Sequence, residues 1–210
     1  TTDGSLALPP PTDMPSHDML AVLEAKIGLP SVFLRFIVRL LRLADIVRKD
    51  EGTSKFHLLP SATKLLLGPT RSAVLRDLFE IWLIKSSYME LFEWQKKGLR
   101  IRWRATTLNV PALRVGELDG ENSEARQTIV TLLAQAPLNQ WISFSAFARF
   151  VSRLNPLFLQ RRQRLFSTPH WWIEQEERHP LRPLHMQDWS KAELPYLTRL
   201  LSGPLHWWSI

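Results

Sequence analysis

The 210-residue sequence contains no cysteine. That one absence removes a disulfide framework, a thiolate zinc site and a cysteine nucleophile together, and it fits a reducing, cytoplasmic setting. No apolar run reaches the ~20 residues of a membrane span, because arginines interrupt the longest one, and no signal-peptide pattern opens the chain. The strings that mark nucleotide or acyl chemistry are missing too: there is no GxxxxGKS/T phosphate loop, no GxGxxG and no GxSxG. Gly68-Pro69-Thr70 reads only as a turn. The six histidines, His17, His57, His170, His179, His185 and His206, contain no HExxH spacing. His179 and His185 lie near Glu174, Glu176 and Glu177, and these are read as the polar side chains of a turn, not as a metal site or an acid–base pair. The expectation is a protein without enzymatic activity, with no catalytic residues, no metal, no cofactor, no small-molecule substrate and no membrane.

What is present is basic and apolar. Hydrophobic residues make up 45% and charged residues 22%, a globular composition of a size that holds one large domain or two small ones. The net charge is +7. Residues 1–105 carry 16 Lys and Arg against 11 Asp and Glu, and residues 106–210 carry 11 against 9, so the excess lies mainly in the first half. A moderate basic excess favours polyanionic partners.

The segment from Pro30 to Leu67 is the most informative. Ser31 is placed to cap a helix over Val32–Ala44, with Pro30 stopping any earlier helix. At about 100° per residue Arg35, Arg39 and Arg42 share one face, and Phe33, Phe36, Ile37, Leu40 and Ala44 share the opposite one. The spacing predicts an amphipathic helix with a cationic exposed side. Asp45 breaks it. Ile46 to Leu58 then reads as a β-hairpin turned at Asp50-Glu51-Gly52-Thr53, carrying Arg48, Lys49 and Lys55, and Leu59-Pro60-Ser61 leads into another helix. Helix, hairpin, helix is the plan of the second half of a winged helix-turn-helix, which sets one helix in the DNA major groove and a hairpin beside it. The arginines then meet phosphates and base edges; the alternative is a solvated helix face. Asp50 and Glu51 at the tip oppose a phosphate contact.

Elsewhere, Leu6 to Pro15 is proline-rich and extended. Asp18 to Ile27 is a helix between the cap Ser16 and the stop Gly28. Pro60 to Lys97 is helical, with Val74, Leu75, Leu78, Phe79, Trp82 and Leu83 on one stripe of the segment after Pro69. Leu99 to Val110 alternates like a strand, which sets Arg100, Arg102 and Arg104 on one face. The expected division is a winged-helix unit with following helices over 1–110, a linker over 111–122 with two glycines and three acids, and a second winged-helix-like unit over 123–210. In the second unit Ser123 caps a helix that Pro137 ends. Phe144–Leu154 is a helix stopped by Asn155-Pro156, His170–Ile173 is strand-like, Glu174–Pro183 is a polar turn region, and Glu193–Leu201 is the last helix. Arg149, Arg153, Arg161, Arg162 and Arg164 form a second basic cluster with the same two readings, phosphate strip or solvated surface. Of the nine tryptophans, Trp82, Trp141 and Trp189 sit in apolar patterns and read as core. Trp171-Trp172 places one ring on each side of a strand.

The second half resembles the winged-helix regions of bacterial helicase-associated proteins, similar to the N-terminal region of XPB-type DNA repair helicases. The matching residues are Trp141 with Phe144 and Phe147, then Trp171-Trp172-Ile173, then Trp189. Tyr196-Leu197 running into Leu201-Ser202-Gly203-Pro204-Leu205-His206-Trp207 resembles the family's "gPLhWLG" string. In the first half Thr1-Thr2-Asp3-Gly4 resembles its "LTKSG" and Leu58-Leu59-Pro60-Ser61-Ala62 its strand-to-helix step. Arg76-Asp77-Leu78 with Ile81-Trp82-Leu83 resembles its "L..WL" helix. The chain departs where Trp208-Ser209 stand for Leu-Gly, and the second unit is expected to be truncated at Ile210, where the family's next strand begins.

The resemblance implies winged-helix folds and association with DNA transactions, without naming a substrate. The expected fold class is therefore mainly α with minor β: tandem winged helix-turn-helix-like units. The expected function is DNA binding, to duplex above all, as a regulator or an accessory to DNA processing. The alternative is a protein-interaction scaffold on the same units. A protein partner or a homodimer would use the aromatic end at Trp207-Trp208.

Overall fold

The computed structural model describes residues 15–50, 52, 53, 55–60, 62, 71–85, 90, 91, 99–103, 111–160, 171–175 and 180–208. They are mainly helical, with two small two-stranded antiparallel sheets. They fall into two compact units, one within Pro11–Lys85 and one within Ser86–Ile210.

In the first unit α1 (His17–Ile27) starts at Ser16, whose Oγ accepts from the Met19 N–H at 3.2 Å, and ends at Gly28, which takes the left-handed conformation at φ 73°. Both ends follow the sequence signals. Helix α2 (Ser31–Leu43) follows after three residues. Ser31 is its first helical residue and not its cap; Pro30 occupies the cap position and makes no side-chain bond. The core side of α2 also differs from the expectation. Phe36 and Leu40 are buried as predicted, but Leu34 is buried with them while Phe33 and Ile37 are half-buried. Leu34 and Phe36 stand about 200° apart around the axis. The helix is therefore covered on two sides, which agrees with its packing against α1, against β1 (Val47–Lys49) and against α3 (Arg71–Ile84). On α3, Leu78 and Trp82 are buried and Leu75 is exposed.

Strands β1 and β2 (Phe56–Leu58) pair antiparallel, with Val47 opposite Leu58, Arg48 opposite His57 and Lys49 opposite Phe56. This is the expected hairpin.

The second unit contains β3 (Arg100–Trp103), α4 (Pro111–Ala134), α5 (Phe144–Leu154), β4 (Trp171–Glu174), α6 (Met186–Lys191) and α7 (Glu193–Leu200). The stretch expected as a linker, 111–122, is the first half of α4, and the compact units meet between Lys85 and Ser86. The reason is legible only in three dimensions. The buried stripe of α4 is Leu118, Asn122, Ala125 and Ile129, flanked by buried Glu121 and Arg126. Polar residues on the core stripe hide the periodicity, and two internal glycines, each costing a helix ~1 kcal/mol, add to the loop-like reading.

Those polar residues are partnered. Arg126 Nη2 donates to Glu90 Oε2 at 3.1 Å, Asn122 Nδ2 donates to the same oxygen at 3.2 Å, and the Tyr196 hydroxyl donates to Asn122 Oδ1 at 2.6 Å. Trp171 Nε1 donates to Glu121 Oε2 at 2.8 Å. Buried polar groups satisfied in this way fix one packing arrangement rather than add net stability. Helix α5 is capped by Ser143, whose Oγ accepts from the Ala146 N–H at 3.2 Å. Strands β3 and β4 place Ile101 opposite Ile173, both buried. After α7 the chain makes a wide turn over Leu201–Leu205 with Pro204 inside it. Among the described residues no helix is long and apolar enough to cross a membrane.

Candidate nucleic-acid interface

The junction between α2 and the hairpin is built by local hydrogen bonding. Asp45 sits at φ 57°, a conformation that Asp tolerates better than most residues. The Asp45 N–H donates to Arg42 O at 2.9 Å and the Ile46 N–H to Leu41 O at 2.8 Å. This is a Schellman closure. It turns the chain out of the helix and straight into β1, with Ile46 buried at the corner.

The Asp45 carboxylate then does a second job. Arg48 Nε donates to Oδ1 at 3.0 Å and Arg48 Nη2 to Oδ2 at 2.9 Å. The forked pair holds the Asp45 carboxyl below the usual carboxylate range. Arg48 is thus directed at its own helix end.

The hairpin tip is also self-contained. Asp50 Oδ1 accepts from the Gly52 N–H at 2.9 Å and Oδ2 from the Thr53 hydroxyl at 2.8 Å, and these bonds hold its carboxyl low. Asp50 is the turn former, an Asx turn. Its charge still opposes an anion at the tip.

The arginine row of α2 lies less open than its spacing suggests. Arg35, Arg39 and Arg42 are all half-buried, because α2 is covered on two sides and the stems lie along neighbouring surface. The Arg42 guanidinium stands 5.6 Å from the centroid of the Phe56 ring, a cation–π contact onto the hairpin, and burial lowers its pKa. Lys49 and Lys55 are exposed on the hairpin. They edge an open concavity of about 700 Å³ whose other walls include Met19 and Leu23 of α1, Val38 of α2 and Phe56. The two hairpin lysines therefore stand at one concavity, while on α2 the Arg39 Nε and Nη1 are shut off from solvent.

The second predicted cluster belongs to the other unit. Arg149 and Arg153 are exposed on α5; Arg161, Arg162 and Arg164 lie outside the described residues, as do Arg104 and Glu51. Arg100 is exposed on β3, whereas Arg102 Nε donates to the buried Glu174 at 2.6 Å. Glu174, expected on a turn, is a strand residue committed to that ion pair. Among the described residues no group of three His, Asp or Glu side chains is placed to hold a metal ion.

The tryptophans divide. Trp82, Trp171 and Trp189 are buried and Trp172 is half-buried. Trp141 is not core: its relative exposure is 105%. It precedes the α5 cap by two residues, where Ile142 and not Trp141 is the residue positioned to pack back on the helix.

Sequence reasoning passed over the buried set Glu90, Glu121, Asn122, Arg126, Gln160, Glu193 and Tyr196. The available signal was the charged, amide and hydroxyl residues clustered at Glu121–Arg126 directly before an apolar helical stripe. Comparison with family models, with curated proteins and with solved structures finds no match to this chain.

Proposed function

We propose that this chain is a non-enzymatic DNA-binding protein that works through its first unit, with α2 as the groove-reading helix and the β1–β2 hairpin as the wing, serving as a regulator or an accessory to DNA processing. The observation that carries the reading is the Arg42–Phe56 contact. It draws the end of the arginine row onto the hairpin, so that helix and wing offer their cations on one side. Arg35 is the residue proposed to meet phosphates or base edges from α2, and Lys49 and Lys55 from the wing; Arg39, expected in the same role, has its Nε and Nη1 buried. Arg42 and Arg48 serve as positioning residues, one tying the wing to the helix and the other fixing the turn between them. The same order of elements supports the winged-helix reading of the unit.

The test is fluorescence anisotropy with labelled duplex DNA over a salt series. Binding should weaken with a log–log slope of roughly −0.9 per phosphate contact, and Arg35→Ala should flatten that slope by roughly 1. No association at ~50 mM salt, where electrostatic binding is strong, would replace DNA binding with the scaffold reading.

A further inference from the structure

In the second unit, the end of α4, the loop over 137–142 and α5 leave a large apolar surface uncovered. Leu138 is 88% exposed and Trp141 fully so, and Phe144, Phe150 and Leu154 add to them. Scattered apolar side chains are ordinary on a surface, but exposed Ile142 and Phe150 border an apolar groove. A groove of about 250 Å³ lies here, floored by Leu132, Ala136, Ile142, Ala146, Phe147 and Phe150. Its walls are regular: two helices, joined by a loop whose Ile142 and Phe147 stand at the N′ and N4 positions of a capped helix end. The groove is therefore preformed.

Charge decides what fits it. Arg149 and Arg153 stand four apart on the exposed side of α5. Helix α5, which lines the groove with Ala146, Phe147 and Phe150, carries these two arginines and no acid. A second copy of this chain is a poor occupant, because a two-fold contact brings each patch onto itself and would set Arg149 and Arg153 against their own kind. A nucleic acid would meet the arginines and stack on Trp141, but it has no aliphatic group to fill the floor. A helix with apolar residues at i, i+3 or i+4, and i+7 and acids on its flanks satisfies both the floor and the rim.

We propose that this groove docks an acidic amphipathic helix of a partner protein, with Trp141 as its aromatic anchor and Arg149 and Arg153 as its charge selectors. The site is separate from the α2–hairpin surface and does not depend on the DNA-binding reading.

The experiment uses the full chain and a fluorescein-labelled synthetic helix of roughly 15 residues, four turns, with a Leu/Phe stripe flanked by Asp and Glu. Anisotropy should show saturable binding at roughly micromolar concentration. Trp141→Ala should weaken it by about 10-fold or more, as expected for an aromatic anchor. Arg149→Glu/Arg153→Glu should weaken it about as much and should raise affinity for the same helix with Lys in place of the acids. All three side chains are exposed, so circular dichroism should show these variants folded. The Arg35→Ala protein should bind the helix as the wild type does, which separates this site from the DNA reading.

Absence of saturable binding to the wild-type protein at ~100 μM overturns the proposal, since a micromolar affinity would be close to saturated there. So does binding indifferent to Trp141→Ala. Oligothymidylate binding that is lost in Trp141→Ala, with no helix bound, assigns the patch to single-stranded nucleic acid. A concentration-dependent dimer in light scattering that Trp141→Ala abolishes assigns it to a second copy.

Discussion

Glu193 is a carboxylic acid placed where a carboxylate is expensive, and its replacement by glutamine should stabilise the protein at neutral pH. The side chain has 0% exposure at the start of α7. Gln160 Nε2 donates to Oε1 at 2.8 Å, while Oε2 has no hydrogen-bond partner. Burial pushes the pKa from 4.5 up to about 8, and the nearby Asp188 charge acts in the same direction; the bond from Gln160 and the Glu193 backbone N–H oppose it and lose. The folded protein therefore holds a proton that the unfolded chain releases above about pH 4.5. Folding stability is complete below that pH, declines as pH rises, and levels off above about pH 8. Each pH unit inside the window costs about 1.4 kcal/mol, which gives roughly 3 kcal/mol at pH 7 and roughly 5 kcal/mol at the plateau. Glu193→Gln keeps the acceptor for Gln160 and abolishes the titration.

The assay is urea unfolding between pH 5 and pH 9, followed by the emission of the buried tryptophans. The variant should exceed the wild type by under about 1 kcal/mol at pH 5, and the gap should widen by about 1.4 kcal/mol per pH unit until it saturates. A stability difference that stays constant across pH 5 to 8 would refute the reasoning, because it would mean that Glu193 ionises alike in the folded and unfolded chain.

Two other side chains offer direct checks. Leu40 is 2% exposed on α2, and Leu40→Ala should cost about 2–5 kcal/mol in thermal or urea denaturation; a loss under ~1 kcal/mol would show that α2 does not carry the core of its unit. Tyr196→Phe removes the donor to Asn122 Oδ1 inside the buried network and should cost about 1–3 kcal/mol, so a neutral result would mean that the network tolerates the gap, with water in place of the hydroxyl.

The first unit was legible because its signals are local. Ser16 and Gly28 bound α1 with short-range hydrogen bonds, and the hairpin over Ile46–Leu58 announces itself by two apolar runs around a polar turn. Phe144–Leu154 was legible for the same reason, with Asn155-Pro156 marking its end; the Ser143 cap at its start came from the structure. Misreadings arose where partners come from far along the chain. The stretch ending at Asn122 reads as a linker because Glu121 and Asn122 find Trp171, Glu90 and Tyr196 only in the folded unit. Arg102 and Glu174 are 72 residues apart in sequence, and no spacing rule pairs them.

The sequence by itself determined the mainly helical class, the α1–α2–hairpin order and the cationic spacing of Arg35, Arg39 and Arg42, since each follows from caps, turns and a 3.6-residue period. Only the tertiary structure decided how open those cations are, which tryptophan faces water and which carboxyl stays protonated. These are properties of what surrounds a side chain. Leu34 and Phe36 buried on two sides of α2 narrow the arginine face, the cap of α5 leaves Trp141 outside the core, and the walls around Glu193 remove the water its charge would need.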